Sequence, residues 1–375
     1  MVRNVLISGA GVAGLAAAYW LSREGFRVTL VEREPALRRG GQAVDIRGKA
    51  LDVVAAMGLL GQARSLRTRL KGMQVIDAEG RELSRTTERT FSAGRLDSDD
   101  IEIFRDDLCA MLAAVLGVDV EQIYDESIAA IHDDGIAPEV TFASGAVRRF
   151  DLVIGADGIY SKTRRLVFAD EAAVVRPLDV VLALFSTPNL LGQADWEIAH
   201  RSETAGFVIY PSRDKRELRV GVGFGTDGKQ IARDDTAAQR EEVASRCASF
   251  GGDMPRLIRA MREAREFYYN ELAQIRMPAW SKGCVVLAGD AAHCASPFSG
   301  QGTSLALVGA FVLARELGRN REDADEAFTA YEARMRPYVL MNQDMVDLTR
   351  QGPTPDEIMT RAKNGIDLDD LLPPP

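Results

Sequence analysis

The chain has 375 residues, a net charge of −9 at pH 7 and 46% hydrophobic residues, enough for a large core spread over two interleaved domains. The acidic balance excludes the basic surface with which nucleic-acid-binding proteins neutralise phosphates. Four cysteines (Cys109, Cys247, Cys284, Cys294) and three histidines (His132, His200, His293) have neither metal-site nor disulfide-framework spacing. No apolar run approaches the roughly 20 residues of a membrane helix, and no leader pattern precedes Val5. The expectation is a cytoplasmic monomer with no metal, no membrane and no nucleic-acid partner.

In chain order, 5–8 is a predicted strand ending at Gly9, 13–22 a helix and 27–31 a second strand, a βαβ unit with a parallel sheet. The segment 40–48 reads as a glycine-punctuated loop or short strand, followed by a helix over 49–57. Residues 73–78 and 81–84 resemble a hairpin, and 105–116 is a predicted helix with apolar residues at Leu108, Met111, Leu112 and Val115. Short strands follow over 127–131, 139–142 and 146–150. Residues 151–154 then read as a buried parallel strand.

The texture changes between 172 and 279. Strands are predicted over 180–186, 206–210 and 217–224, and helices over 235–249 and 254–266. A buried strand over 284–288 precedes a glycine-rich turn and a long helix over 303–317. Residues 325–350 are predicted helical with a kink at Pro337, and the tail, ending in three prolines, is expected to be loosely held. The fold class is therefore α/β. A discontinuous Rossmann-like domain (1–171 and 280–322, with parts of 60–105 joining the other layer) carries an inserted, mostly antiparallel substrate domain (172–279) and C-terminal helices (323–375).

Three motifs carry chemistry. Gly9-Ala10-Gly11-Val12-Ala13-Gly14 is G-x-G-x-x-G between a strand and a helix: Gly9 for the tight turn, Gly11 for approach of a pyrophosphate, Gly14 for close packing. Unpaired N–H groups at the helix start, beside Ala13, would meet the phosphates. Glu32, closing the second strand, would accept from both ribose hydroxyls and disfavours a 2′-phosphate, so the nucleotide here is FAD or NAD. The second motif, Gly155-Ala156-Asp157-Gly158, leaves a buried strand and is followed by Ser161 and Arg164. Asp157 can serve a ligand or cap a turn. The third is Gly289-Asp290, then Pro297-Phe298-Ser299-Gly300-Gln301-Gly302 entering the long helix. Asp290 is poised for a ribityl hydroxyl, and Gly300 and Gly302 open backbone N–H groups towards a phosphate or a reduced flavin.

These motifs, in this order and at these separations, resemble the single-component FAD-dependent aromatic hydroxylases, the para-hydroxybenzoate-hydroxylase-like family. Residues 41–48 and the compact length look most like its tetracycline-inactivating and polyketide-tailoring monooxygenases. The resemblance implies that Glu32 and Arg33 meet the adenosine ribose and Arg105 contacts the cofactor. It associates Asp157 with FAD and pyridine nucleotide, gives Asp290 the ribityl or pyrophosphate portion, and sets Gln42 and Arg47 close to the isoalloxazine ring. One departure is the sequence Ala306-Leu307-Val308-Gly309-Ala310 after Gly302, which lacks the acid many relatives carry there.

The implied activity is hydroxylation of an aromatic or polyketide-like molecule through a flavin C4a-hydroperoxide, with NADPH or NADH as transient reductant and no side-chain nucleophile. Phe185, Phe207, Tyr210 and Phe224 on the middle strands, with Pro297 and Phe298, are candidates for an apolar substrate face; ordinary core packing is the competing reading. His293 could face substrate or be structural. A non-redox cyclase with a structural flavin, and a nucleotide-sensing binding module, are the rival functions. Intact Asp157-Gly158 and Asp290 motifs favour a working flavin site over the module.

Overall fold

A computed structural model describes residues 4–38, 40–168, 174–202, 204–350 and 354–373. The first strand, Asn4–Ser8, has four of its five residues buried, because parallel neighbours flank it, helices cover one face, and the three-stranded antiparallel sheet 128–132, 139–142, 147–149 covers the other through Ile128, Val140 and Phe142. It lies inside a six-stranded sheet ordered 281–282, 285–287, 152–155, 4–8, 27–32, 120–124, parallel except for the two-residue edge strand Ser281–Lys282. The helices Val12–Arg23 and Gly302–Arg319 pack on this sheet and on one another, joining the start and the late part of the chain in one apolar core.

The second layer is a seven-stranded sheet ordered 267–275, 175–188, 217–225, 205–211, 196–201, 72–76, 82–86. It is antiparallel except where Trp196–Arg201 meets Gly72–Ile76. Its outer face is closed by the helices Thr236–Arg246 and Met254–Glu263 around Val220, Val222, Val243, Leu257 and Met261. A short antiparallel pair, Ala43–Ile46 with Ile101–Phe104, lies between the two sheets and is tied to the larger one by Ala43 N–H donating to the Tyr210 hydroxyl at 3.1 Å. The expected domain boundary at 171–172 falls outside the described residues. Among those described, no helix is long and apolar enough to cross a membrane.

Several expected elements differ in extent. The predicted helix 254–266 stops at Glu263, because the aromatic run from Phe267 joins the sheet as the nine-residue strand Phe267–Ile275. The C-terminal helix Ala324–Asp344 runs unbroken through Pro337 but ends before 350, and a further helix, Asp356–Asn364, follows. The tail is not loosely held as far as Pro373. Leu368 and Leu371 are fully buried in the main core, and Asp370 pairs with Arg319 and Arg334 at 2.9 and 2.8 Å. Apolar spacing, which the proline run obscured, holds this segment. The last two prolines lie outside the described residues.

Candidate dinucleotide site and the cleft beside it

All three motifs leave the carboxyl edge of the parallel sheet, on neighbouring strands. Gly9 N–H donates to Val31 O at 2.7 Å, Ala156 N–H to Ser8 O at 2.9 Å, and Ala288 N–H to Gly155 O at 2.9 Å. The ladder therefore continues one residue past each strand before the chain turns away. Glycine is needed here sterically: a β-carbon on Gly14 would lie 1.9 Å from Gly9 O, and Gly9, at φ +105°, faces Ala156 O at 2.6 Å. The third motif is pressed onto the first, since a β-carbon on Gly289 would stand 2.7 Å from that of Ala13.

Against this tightness, a β-carbon on Gly11 would meet nothing within 4 Å. The helix behind it has no side-chain cap and no acid in its first turn, so its first amides face open space. Glu32 accepts from Ala10 N–H at 2.8 Å and from Glu34 N–H at 3.1 Å, which holds its carboxylate beside the glycine turn. Arg33 points outward and pairs with Glu34 at 3.5 Å. The second helix start repeats the arrangement: Gly300 is left-handed at φ 60°, Gly302 has open space around it, and no side chain caps the helix. A dinucleotide with phosphates at Gly11 and a ring system reaching Gly302 fits this cradle, because both uncapped helix ends would gain an electron-rich partner.

Asp290 lies deep in the molecule, yet its side chain opens onto the cleft. Burial raises its pKa, while a hydrogen bond with the Cys294 thiol and, less strongly, the charge of Arg105 oppose that shift. Arg105 opens the helix Arg105–Ala113, its N–H donating to Gln42 O at 3.2 Å. Arg47 is 5% exposed; it pairs with Asp45 at 2.8 Å, donates to Ala93 O at 3.1 Å, and lies against Gly300. Gln42 and Arg105 thus meet at one end of the short strand pair, and Arg47 meets Gly300 at the other end, by the start of the long helix.

Asp157 is used differently. Its carboxylate accepts from Lys162 N–H at 2.9 Å, from Thr163 N–H and Oγ1 at 3.0 Å, and from the Ser161 hydroxyl. It caps the helix Lys162–Phe168, and the buried Arg164 of that helix donates to Ala291 O at 2.8 Å, tying the second motif to the third. His293 is 1% exposed, packs at a tilt against the Trp280 ring with centroids 4.8 Å apart, and faces Tyr331; burial lowers its pKa to about 4. It is a neutral structural histidine.

The aromatic candidates divide by strand parity. Phe185, Phe207 and Phe224 belong to the core under the two outer helices and line no cleft, which corrects the expectation that they form a substrate face. Tyr210 has the opposite parity to Phe207, and its ring stacks with Phe104 at 6.2 Å. Pro297 and Phe298 are exposed on the loop before Gly300.

The inner face beside Tyr210 carries Leu182, Leu184 and Val208, half-buried, around Gly221 and Gly223. Of those two glycines, absent from the expected site, Gly223 leaves open space at its face, whereas Gly221 is covered by Val208 and Leu184, which would stand 3.2 and 3.3 Å from a β-carbon there. Their signal was the alternation Gly221-Val222-Gly223-Phe224-Gly225. Asp45, Glu102 and Glu197, a buried acidic group between the layers, were also missed. A separate cavity of about 710 Å³, lined by Ile275, Trp280, His293 and Gln343 among others, contains none of the cofactor residues. The site is not placed there. Among the described residues no group of His, Cys, Asp or Glu is arranged to hold a metal ion.

A family model described as "FAD binding domain" matches residues 3–346. The chain is 44% identical over 371 residues to the uncharacterized protein Rv1260 of Mycobacterium tuberculosis, covering 98% of this chain and all of that one. It is 36% identical to a flavin-dependent monooxygenase of an unknown prokaryotic organism, covering 91% and 87%. The crystal structure of tetracycline destructase Tet(51) superposes with a TM-score of 0.89 at 32% identity, over 98% of this chain and 99% of that one. With its cradle on the same fold, the chain belongs to the FAD-binding family of flavin-dependent monooxygenases.

Proposed function

We propose that this enzyme uses NAD(P)H and O2 to hydroxylate a flat, multi-ring phenolic molecule of the tetracycline or aromatic polyketide class. The observation that carries the reading is the pair of uncapped helix starts at Gly11 and Gly302, with Gly289 of the third motif pressed onto the first, together with the open position at Gly223 on the inner face of the seven-stranded sheet. FAD, when bound, supplies the electron transfer and oxygen activation. The chain's part is placement: Gly11 and the first helix for the phosphates, Glu32 for the adenosine ribose, Arg105 and Asp290 for the middle of the cofactor, Gln42 and Arg47 for the ring end.

Asp157 supports the site from behind by holding its loop. Leu182, Leu184, Val208 and Tyr210 supply an apolar wall that excludes water and receives a planar ring. The names of the solved and curated relatives support the substrate class and the redox chemistry, and disfavour the cyclase. Incubation with NAD(P)H, isotopically labelled dioxygen and a panel of tetracyclines and aromatic polyketides tests it. A product carrying one labelled oxygen is expected, whereas cyclised product without label, or NAD(P)H consumption yielding only hydrogen peroxide for every compound, contradicts the reading.

A further inference from the structure

The strand pair between the two sheets sets Asp45 directly opposite Glu102. Residues opposite in an antiparallel ladder share a face, with β-carbons roughly 4.5–5.5 Å apart. Water is largely excluded here: Asp45 is 8% exposed, Glu102 5% and Glu197, on strand Trp196–Arg201 of the seven-stranded sheet, 0%. Glu197 is held by the amides of Phe91 at 2.5 Å and Ser92 at 3.2 Å. One buried cation joins the three acids, Arg47, on Asp45 Oδ2. The other groups that face them are already committed: Asp100 pairs with Lys363 at 2.8 Å, the Tyr210 hydroxyl is kept neutral by burial, and Arg67 points to solvent.

Three ionised carboxylates against one guanidinium would leave uncompensated negative charge in a dry region, which proteins avoid by binding protons. The hydrogen bonds say where a proton belongs. Asp45 Oδ1 and both carboxylate oxygens of Glu102 are buried without a hydrogen-bond partner, although the hydroxyls of Thr68 and Ser92 stand near Glu102. One proton on Glu102, directed at Asp45 Oδ1, supplies a partner to both carboxyl groups and removes the repulsion between them.

We propose that Glu102 is protonated in the working enzyme and donates to Asp45, making it a positioning residue that holds Asp45 on Arg47. Arg47 in turn lies against Gly300, and its N–H donates to Ser304 Oγ at 2.9 Å at the start of the long helix. Loss of the proton would place a second negative charge beside Asp45 and alter the field of Arg47 where the flavin ring is expected. Burial and the two neighbouring acids push Glu102 up to about 8, and burial raises Asp45 to about 6, so the change falls in an accessible range.

The inference rests on the proposed cofactor site only in expecting flavin beside Arg47. The test is a pH titration, from about 6 to 10, of the purified flavoprotein and its Glu102→Gln and Glu197→Gln variants, with the flavin visible spectrum and the infrared carboxylic-acid C=O stretch as readouts. The wild type should show a spectral transition near pH 8 together with loss of a carboxylic-acid band. Glu102→Gln, which keeps a donor of the same shape, should lack both and hold the low-pH spectrum throughout, while Glu197→Gln should retain them. A wild type with neither change, or a Glu102→Gln variant that titrates like the wild type, overturns the proposal. A colourless preparation refutes the cofactor reading instead, and the infrared band then decides the proton question alone.

Discussion

The carboxyl edge of the parallel sheet and the inner face of the seven-stranded sheet lie on either side of the strand pair that carries Asp45 and Glu102, and they are specified by different means. At the edge, backbone does the work: Gly9, Gly14 and Gly289 are in contact with main chain or a β-carbon, and any side chain there collides. At the inner face, parity does the work. Val220, Val222 and Phe224 point into the core while Gly221 and Gly223 point away from it. Steric necessity leaves a local sequence motif, whereas parity has meaning only once the sheet is known to be covered on one side.

Substitutions on each side should therefore fail in different ways. Gly14→Val is expected to be the most severe. Its β-carbon would stand 1.9 Å from Gly9 O, a backbone atom that cannot yield, so the cost should exceed the roughly 1–3 kcal/mol of ordinary overpacking. Flavin absorbance per protein should fall to background; a Gly14→Val preparation that retains full flavin would break the contrast.

Between the two surfaces, Glu102 gives a pH signature. Its pKa in the fold, about 8, lies above the ordinary 4.5, so the folded state binds the extra proton. The associated stability is complete below the ordinary value and is lost as pH rises through about 8. Urea unfolding should show the wild type losing roughly 2–3 kcal/mol relative to Glu102→Gln between about pH 6 and 9. Parallel pH profiles for the two proteins would contradict a proton held there.

The smallest expected effect on stability is at Gly223, on the inner face. Gly223→Ala adds a methyl where only Val181 O, at 3.9 Å, lies nearby, so stability should change by about 0.5 kcal/mol or less. The Michaelis constant for a multi-ring substrate should nevertheless rise with flavin content unchanged. An unchanged constant would remove Gly223 from the substrate face.

The same contrast explains how much could be read in advance. The glycine turns, and the place of Glu32 beside the first of them, were legible because they are local: a strand, a turn and a helix within a few residues. The capping alternative for Asp157 was legible too, since Ser161 and Thr163 follow it at capping distance. For Phe185, Phe207 and Phe224 the choice between substrate face and core stayed open, because an apolar strand does not declare which side the helices Thr236–Arg246 and Met254–Glu263 will cover. Glu102 was missed for another reason: its strand, Ile101–Phe104, is only four residues long and precedes a helix without a break. An acid between two isoleucines was its signal. The opposing Asp45 lies far away in sequence, and only the folded ladder pairs them. The buried tail was obscured by its prolines, although Leu368 and Leu371 carry helical spacing.

The central claim is that the glycine edge holds a redox-active FAD facing a substrate-sized cleft. Anaerobic mixing of the purified protein with NADPH or NADH, following the visible band of oxidised flavin with and without each of a panel of tetracyclines and phenolic polyketides, tests it most directly. The account predicts a yellow protein whose band bleaches, and bleaches faster with at least one ring-bearing compound. A band that persists for hours with both reductants and every compound would contradict it.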